Sequence, residues 1–144
     1  IMYPFPTIII VETDSDFRPR SDRILPLVNS NPDRIEQIMV ILIDNALKFT
    51  PPGGEIEISA VPNRAKSPGK ILVSVADTGK GIDSDDLPYI FDRFYKVDKS
   101  RSGTAGTGLG LSIAREILQS MGESITAKSE PNKKTVFTFS VSVF

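Results

Sequence analysis

The 144 residues contain no histidine and no cysteine. Without imidazole the chain has no Ser-His-Asp relay, no histidine-ligated zinc and no phosphoaccepting histidine of its own. Without thiols it has no disulfide, thiolate metal site or cysteine nucleophile, a composition compatible with a reducing compartment. Charge of one sign is lacking as well. Seventeen Lys+Arg stand against 18 Asp+Glu for a formal net charge of -1, so nucleic acid is not expected as a standing partner. The longest aliphatic run, residues 38–43, is far short of the roughly 20 residues a membrane span needs. The first six residues carry none of the marks of a signal peptide and read as the start of a piece cut from a longer protein. Any chemistry must use carboxylates, amides, Lys or Arg, backbone groups, or something another chain supplies.

What is present is 40% hydrophobic and 24% charged, enough for one ordinary core, so residues 1–144 are expected to form a single domain. Residues 7–12 are β-branched and apolar and predict a buried strand. A polar stretch over 13–26 predicts a loop, and Leu27-Val28 a short strand. Asn31-Pro32-Asp33 predicts a helix start, with Asn as cap, Pro at the first position and Asp facing the dipole. The helix then runs to about Thr50. Its core face carries Ile35, Ile38, Met39, Leu42, Ala46 and Phe49, widened sideways by Val40, Ile43 and Leu47. Pro51-Pro52-Gly53-Gly54 stops it.

Residues 55–61 and 70–76 predict an antiparallel pair of strands. A short helix is expected from about Asp83 and to include Leu87, Ile90 and Phe91, followed by a surface loop over 96–106. A helix over 108–121 follows, with Leu111, Ala114, Ile117, Leu118 and Met121 on one face and Gly122 as its cap. Residues 125–128 and 136–143 predict closing strands. The elements sum to a two-layer α/β sandwich in which a mixed, mostly antiparallel sheet packs on about three helices.

Three segments can carry chemistry. The polar flank of the long helix holds Gln37, Asp44, Asn45 and Lys48, which is either a solvated face or a place where an amide oxygen meets a hard cation and an ammonium meets phosphate. Asp77-Thr78-Gly79-Lys80-Gly81-Ile82 follows a strand. It is either a plain turn or a loop curled around a ligand whose exocyclic amine donates to Asp77, a charge-assisted bond worth roughly 1.5–3 kcal/mol. Gly106-Thr107-Gly108-Leu109-Gly110-Leu111 leads into a helix, as a flexible loop or as a phosphate cradle of backbone N–H groups. It is not the dinucleotide fingerprint, because the flanking β-units are absent. Phe91, Phe94 and Tyr95 are core or loop-anchoring aromatics, and Lys96, Lys99 and Arg101 are a solvated loop or a positive one that folds over phosphates.

In order, DNALKFTPPGG, DTGKGI, FDRFYK and GTGLGLSIA resemble the ATP-binding catalytic domain of sensor histidine kinases. That domain has the Bergerat fold and belongs to the superfamily of Hsp90-like, gyrase-type and MutL-type ATPases. The resemblance implies ATP and Mg²⁺ as ligands and γ-phosphoryl transfer to a histidine on a separate dimerisation domain of the same protein, upstream of a response regulator, in the cytoplasm. It makes Asn45 the magnesium ligand, Lys48 the phosphate contact, Phe49 the aromatic on adenine and Asp77 the adenine-selecting aspartate. Gly79, Gly81 and Ile82 shape the base pocket. Tyr95 and Lys96 open the ATP lid, and Gly106, Thr107, Gly108, Leu109, Gly110 and Leu111 close it on the phosphates. The residues expected to act in catalysis are Asn45, Lys48 and Lys96.

Four places depart from the family pattern. Ile41 stands where the hydrolytic relatives carry a proton-abstracting Glu, and Glu123 where a second Gly is common. Asn132-Lys133-Lys134 replaces a Gly-bearing turn, and Val136 stands where Thr often lies near the base. The competing expectations are an ATP-driven clamp and a degenerate nucleotide-sensing module.

Overall fold

The computed structural model of the chain describes residues 6–12, 30–63, 69–96 and 108–142. The expected loop over 13–26, the strand at Leu27-Val28, most of the loop over 96–106, and Gly106 and Thr107 lie outside these residues.

A five-stranded sheet carries the fold, in the order β1-β2-β3-β5-β4. β1 (Thr7–Glu12) runs parallel to β2 (Glu55–Asn63). β3 (Lys70–Asp77), β5 (Lys134–Ser142) and β4 (Ile125–Glu130) continue antiparallel. Helix α1 (Pro32–Phe49) forms the connection between the parallel pair, and α2 (Gly110–Ser120) precedes the β4–β5 hairpin. The two helices contact each other, and α1 also contacts β3. The sandwich is as expected, and among the described residues its helices are two α-helices and one 3₁₀ turn.

α1 begins as its sequence dictates. The Asn31 side chain accepts from the N–H groups of Asp33 and Arg34 at 3.0 and 3.4 Å, with Pro32 at the first helical position. Ile38, Leu42 and Ala46 are buried, and Ile35 and Met39 pack against the core they form. The expected sideways extension is corrected at two positions. Val40 is 60% and Leu47 38% exposed, because the apolar stripe is wider than the surface that covers it.

The expected helix near Asp83 is only a 3₁₀ turn over Leu87–Tyr89. Pro88 has no N–H to give, and the Asp86 side chain does not cap it. Ile90 still reaches the core, and Phe91 meets Phe137 edge-on at 6.1 Å between centroids. α2 starts two residues later than its apolar pattern suggests, because Gly108 has φ +74 and cannot be helical. Its end matches expectation. Gly122, at φ +75, donates to Gln119 O, and Glu123 N–H donates to Leu118 O at 2.8 Å, the paired bonds of a Schellman cap.

Sheet register then positions the site. Side chains alternate across a strand, so Ile71, Val73, Val75 and Asp77 share one face of β3, and Thr135, Phe137, Phe139 and Val141 share one face of β5. They pair as Ile71↔Val141, Val73↔Phe139, Val75↔Phe137 and Asp77↔Thr135. A ladder of hydrophobes on the helix-facing side ends in one carboxylate and one hydroxyl.

Candidate functional site

Beyond that last rung lies a cavity of about 480 Å³. Asp77 is 4% and Thr135 4% exposed, and both line it. Burial raises the Asp77 carboxyl above the ordinary aspartate value, against the opposing pull of the N–H of Gly79, which donates to Oδ1 at 2.9 Å. One carboxylate oxygen is thereby committed to the chain, which leaves Oδ2 for a ligand.

The loop after Asp77 is held by backbone. Thr78 N–H donates to Glu55 O at 3.1 Å, and Glu55 N–H donates to Thr78 Oγ1 at 2.8 Å, tying the loop to the start of β2. Gly79 is buried behind the cavity wall, where an added Cβ would stand 2.3 Å from Phe49 O. It shapes the pocket by allowing the loop to approach the end of α1. Gly81, at φ +75, and Ile82 line the cavity directly.

α1 contributes Ile41, Asp44, Asn45 and Lys48 to the lining from the flank singled out by helical spacing, and Phe49 from the core face. Lys48 Nζ pairs with Asp44 Oδ2 at 3.0 Å, one turn back. Asn45 is half-buried. Among the described residues no three His, Cys, Asp or Glu side chains group as a metal cage; on the α1 side of the cavity the Asn45 amide oxygen and the neighbouring Asp44 carboxylate are oxygen donors of the kind a hard cation takes.

From the other side come Gly108, Leu109, Gly110 and Leu111 at the start of α2. No side chain caps that first turn. An added Cβ on Gly108 would lie 2.9 Å from the carbonyl carbon of Phe94, whose N–H donates to Gly108 O at 3.0 Å. Phe94 itself has φ +64 and is exposed. Tyr95 and Lys96 follow it into the lining. The Tyr95 hydroxyl donates to Asp86 Oδ1, and this bond, with burial and nearby negative charge, pushes the phenol up to about 12.

The described residues expected in the nucleotide site therefore line this cavity, apart from Gly79 just behind it, whereas Gln37 of the same helix flank lies outside it and lines a neighbouring depression. Sequence reasoning assigned no role to Lys80, Thr135 and Phe137, which also line it. Lys80 Nζ sits 5.5 Å from the Phe49 ring centroid. Thr135 supplies a polar group from the last strand even though Val136 stands where the Thr was expected. Its signal was available, since it lies two residues before Phe137 on the core-facing alternation.

The arrangement is an α/β sandwich with a cavity that joins a buried carboxylate, a helix amino terminus and a lysine-bearing helix flank. Residues 30–143 match the family described as histidine kinase-, DNA gyrase B-, and HSP90-like ATPase, and the chain belongs to that family. Within it the likeness runs to sensor histidine kinases and their ATP-binding catalytic domain. The chain is 45% identical over 106 residues to the sensor protein SrrB of Staphylococcus aureus, a match covering 73% of this chain and 18% of that protein. It is similar in fold to full-length ShkA in complex with AMPPNP, with a TM-score of 0.73 and 29% identity over 95% of this chain and 26% of that one. It is also similar to the catalytic domain of histidine kinase ThkA, with a TM-score of 0.70 and 28% identity over 94% of this chain and 80% of that one. The chain thus spans about a fifth of the sensor proteins it matches. Among the described residues no helix is long and apolar enough to cross a membrane.

Proposed function

We propose that this chain binds ATP with Mg²⁺ and delivers the γ-phosphoryl group to a histidine on a separate dimerisation domain of the same protein, on the cytoplasmic side and upstream of a response regulator. The observation that carries the reading is the meeting, in one cavity, of a buried carboxylate with an unspent oxygen and an uncapped helix start. The first suits the exocyclic amine of adenine and disfavours a base presenting a carbonyl there. The second suits phosphate oxygens.

Phe49 and Ile82 offer apolar walls for a flat base. Lys48 and Lys96 bring positive charge to the phosphate chain, and Lys48 exchanges part of its pairing with Asp44 for the nucleotide. The Asn45 amide oxygen fits an ion that keeps several waters and takes its remaining ligands from phosphates. Bound Mg²⁺ supplies charge neutralisation on the phosphoryl oxygens. The work of the protein is positioning, the main lever in phosphoryl transfer. Ile41 lines the cavity one turn before Asn45 and offers no proton acceptor. That favours transfer to an incoming acceptor over activation of water, and so favours the kinase over the ATP-driven clamp.

Calorimetric titration with a non-hydrolysable ATP analogue tests the reading. The wild type is expected to bind, more tightly with Mg²⁺, and Asp77→Asn to lose about 10- to 100-fold in affinity, the size of one charge-assisted hydrogen bond. Absence of binding by the wild type overturns it. With labelled ATP the isolated chain, having no histidine, should accumulate no stable phosphoprotein, and steady hydrolysis would point to the clamp.

A further inference from the structure

Ser129, in β4, does not line the cavity, yet three of the segments that form or support its base side meet at its hydroxyl. Ile82 N–H donates to Ser129 Oγ at 2.7 Å. The same oxygen lies 3.1 Å from Lys134 O and 2.9 Å from Thr135 Oγ1. Ser129 has one proton to give, and Thr135 has one as well. If Ser129 donates to the Lys134 carbonyl, Thr135 donates to Ser129; if Ser129 donates to Thr135, the Thr135 proton is released toward its surroundings. In both arrangements Ser129 keeps a lone pair for Ile82.

The hairpin that carries Ser129 also presses on the loop. Asn132 N–H donates to Lys80 O at 2.6 Å. An added Cβ on Gly81 would lie 2.5 Å from Glu130 O and 2.8 Å from Pro131 Cα. Residues 79–82 belong to no strand, and these two hydrogen bonds tie their backbone to the β4–β5 hairpin. Ile82 and Thr135 are cavity walls, and Asp77 is the register partner of Thr135.

From this geometry we infer that Ser129 is a positioning residue for the nucleotide site, fixing Ile82 and Thr135 relative to Asp77 and thereby setting affinity on the base side; this rests on the ATP reading above. The effect should fall on binding more than on folding. β4 and β5 are paired at six positions from Ile125↔Phe139 to Glu130↔Lys134, and that pairing does not pass through the hydroxyl. Loss of the hydroxyl frees the Ile82 amide and lets its loop swing away from the base.

The test compares ATP titrations of the wild type, Ser129→Ala and Ser129→Thr, with thermal melts and amide exchange at Ile82. Ser129→Ala is expected to bind ATP about three- to tenfold more weakly, with faster Ile82 exchange and a retained cooperative melt. Ser129→Thr, which keeps an oxygen there, is expected to recover affinity to within about twofold of the wild type. If the wild type binds and Ser129→Ala binds equally well, this inference alone is overturned. If the wild type does not bind, the nucleotide reading falls and this inference with it. Should Ser129→Ala lose its cooperative melt, Ser129→Cys, a weak acceptor of similar shape, takes its place, and affinity equal to that of Ser129→Thr overturns the inference. Unprotected exchange at Ile82 in the wild type overturns it as well.

Discussion

Asp77 occupies a position that strand alternation reserves for a hydrophobe, and the chain bears the consequence. Its carboxyl is raised by burial, which the Gly79 N–H only partly opposes. A raised acid holds its proton more tightly in the folded state. Its contribution to stability is therefore greatest below the ordinary aspartate range and falls as pH rises through the window up to the raised value. Asp77→Asn keeps an acceptor for Gly79 and removes the buried charge. The ligand-free variant is expected to melt higher than the wild type at neutral pH, with the gap closing in acid, while it loses nucleotide binding. Scanning calorimetry across pH checks this; a variant that melts lower at neutral pH would show that burial of the charge is not what Asp77 costs the fold. Asn132 is the complementary case. It replaces an expected glycine, and it takes φ +62, a conformation Asn tolerates better than other non-glycine residues. Asn132→Val should destabilise by about 1–2 kcal/mol and Asn132→Gly should be close to neutral, as read from denaturant midpoints. Asp77 was legible through the family resemblance, since an acid after a strand and before two glycines reads, taken alone, equally well as a plain turn. Ser129 was not, because a serine in an alternating strand gives no sign of which backbone amide will reach it.

At the scale of elements, periodicity was a good guide wherever it ran long enough and met no contrary backbone. α1 has its cap, its stop and its core face in the expected places, and β2 and β3 form the expected pair. Local pattern failed where one residue vetoed it. Pro88 reduced the expected helix near Asp83 to a single turn, and Gly108, by turning left-handed, moved the start of α2 to Gly110. Val40 and Leu47 show a different failure, since a helix can display more apolar surface than its neighbours cover, and only tertiary placement decides which part is buried. The end of α2 contains a departure that the family pattern made visible but did not explain. Glu123 follows the capping Gly122 and is buried. Burial alone would raise its carboxyl, but hydrogen bonds from Lys70, Ser140 and Ser142, with the charge of Lys70, outweigh that and hold it below the ordinary glutamate value. Lys70 Nζ lies 2.7 Å from Oε1 and 2.8 Å from Ser142 Oγ. A depressed acid contributes stability above its unfolded value and loses it as pH falls through the folded one, so this contribution disappears only below the usual glutamate range. Glu123→Ala is expected to cost about 1–3 kcal/mol while leaving ATP affinity within about twofold, measured by chemical denaturation and calorimetric titration.

On the scale of the whole molecule, the two polar clusters stand at opposite ends of the same strands. β3 runs from Lys70 to Asp77, and β5 from Lys134 to Ser142. Lys70, Ser142 and Glu123 close one end, while Asp77, Thr135 and the loop to Ile82 line the other. Between them lie the hydrophobic rungs of the ladder, with Phe137 and Phe139 almost fully buried. Amide hydrogen exchange should reflect that division. Addition of ATP is expected to slow exchange at Gly79 through Ile82 and at the first turn of α2 by about tenfold or more, and to leave Ile71, Ser140 and Val141 within about twofold. Uniform slowing along both strands would indicate that the ligand tightens the molecule as one unit. The face of the sheet turned away from the helices also offers a place to hold the protein. Since the chain has no native thiol, a Thr126→Cys substitution, on the exposed side of β4 and paired with Thr138, would be its sole attachment point, and a molecule tethered there would keep the mouth of its cavity open to the solution.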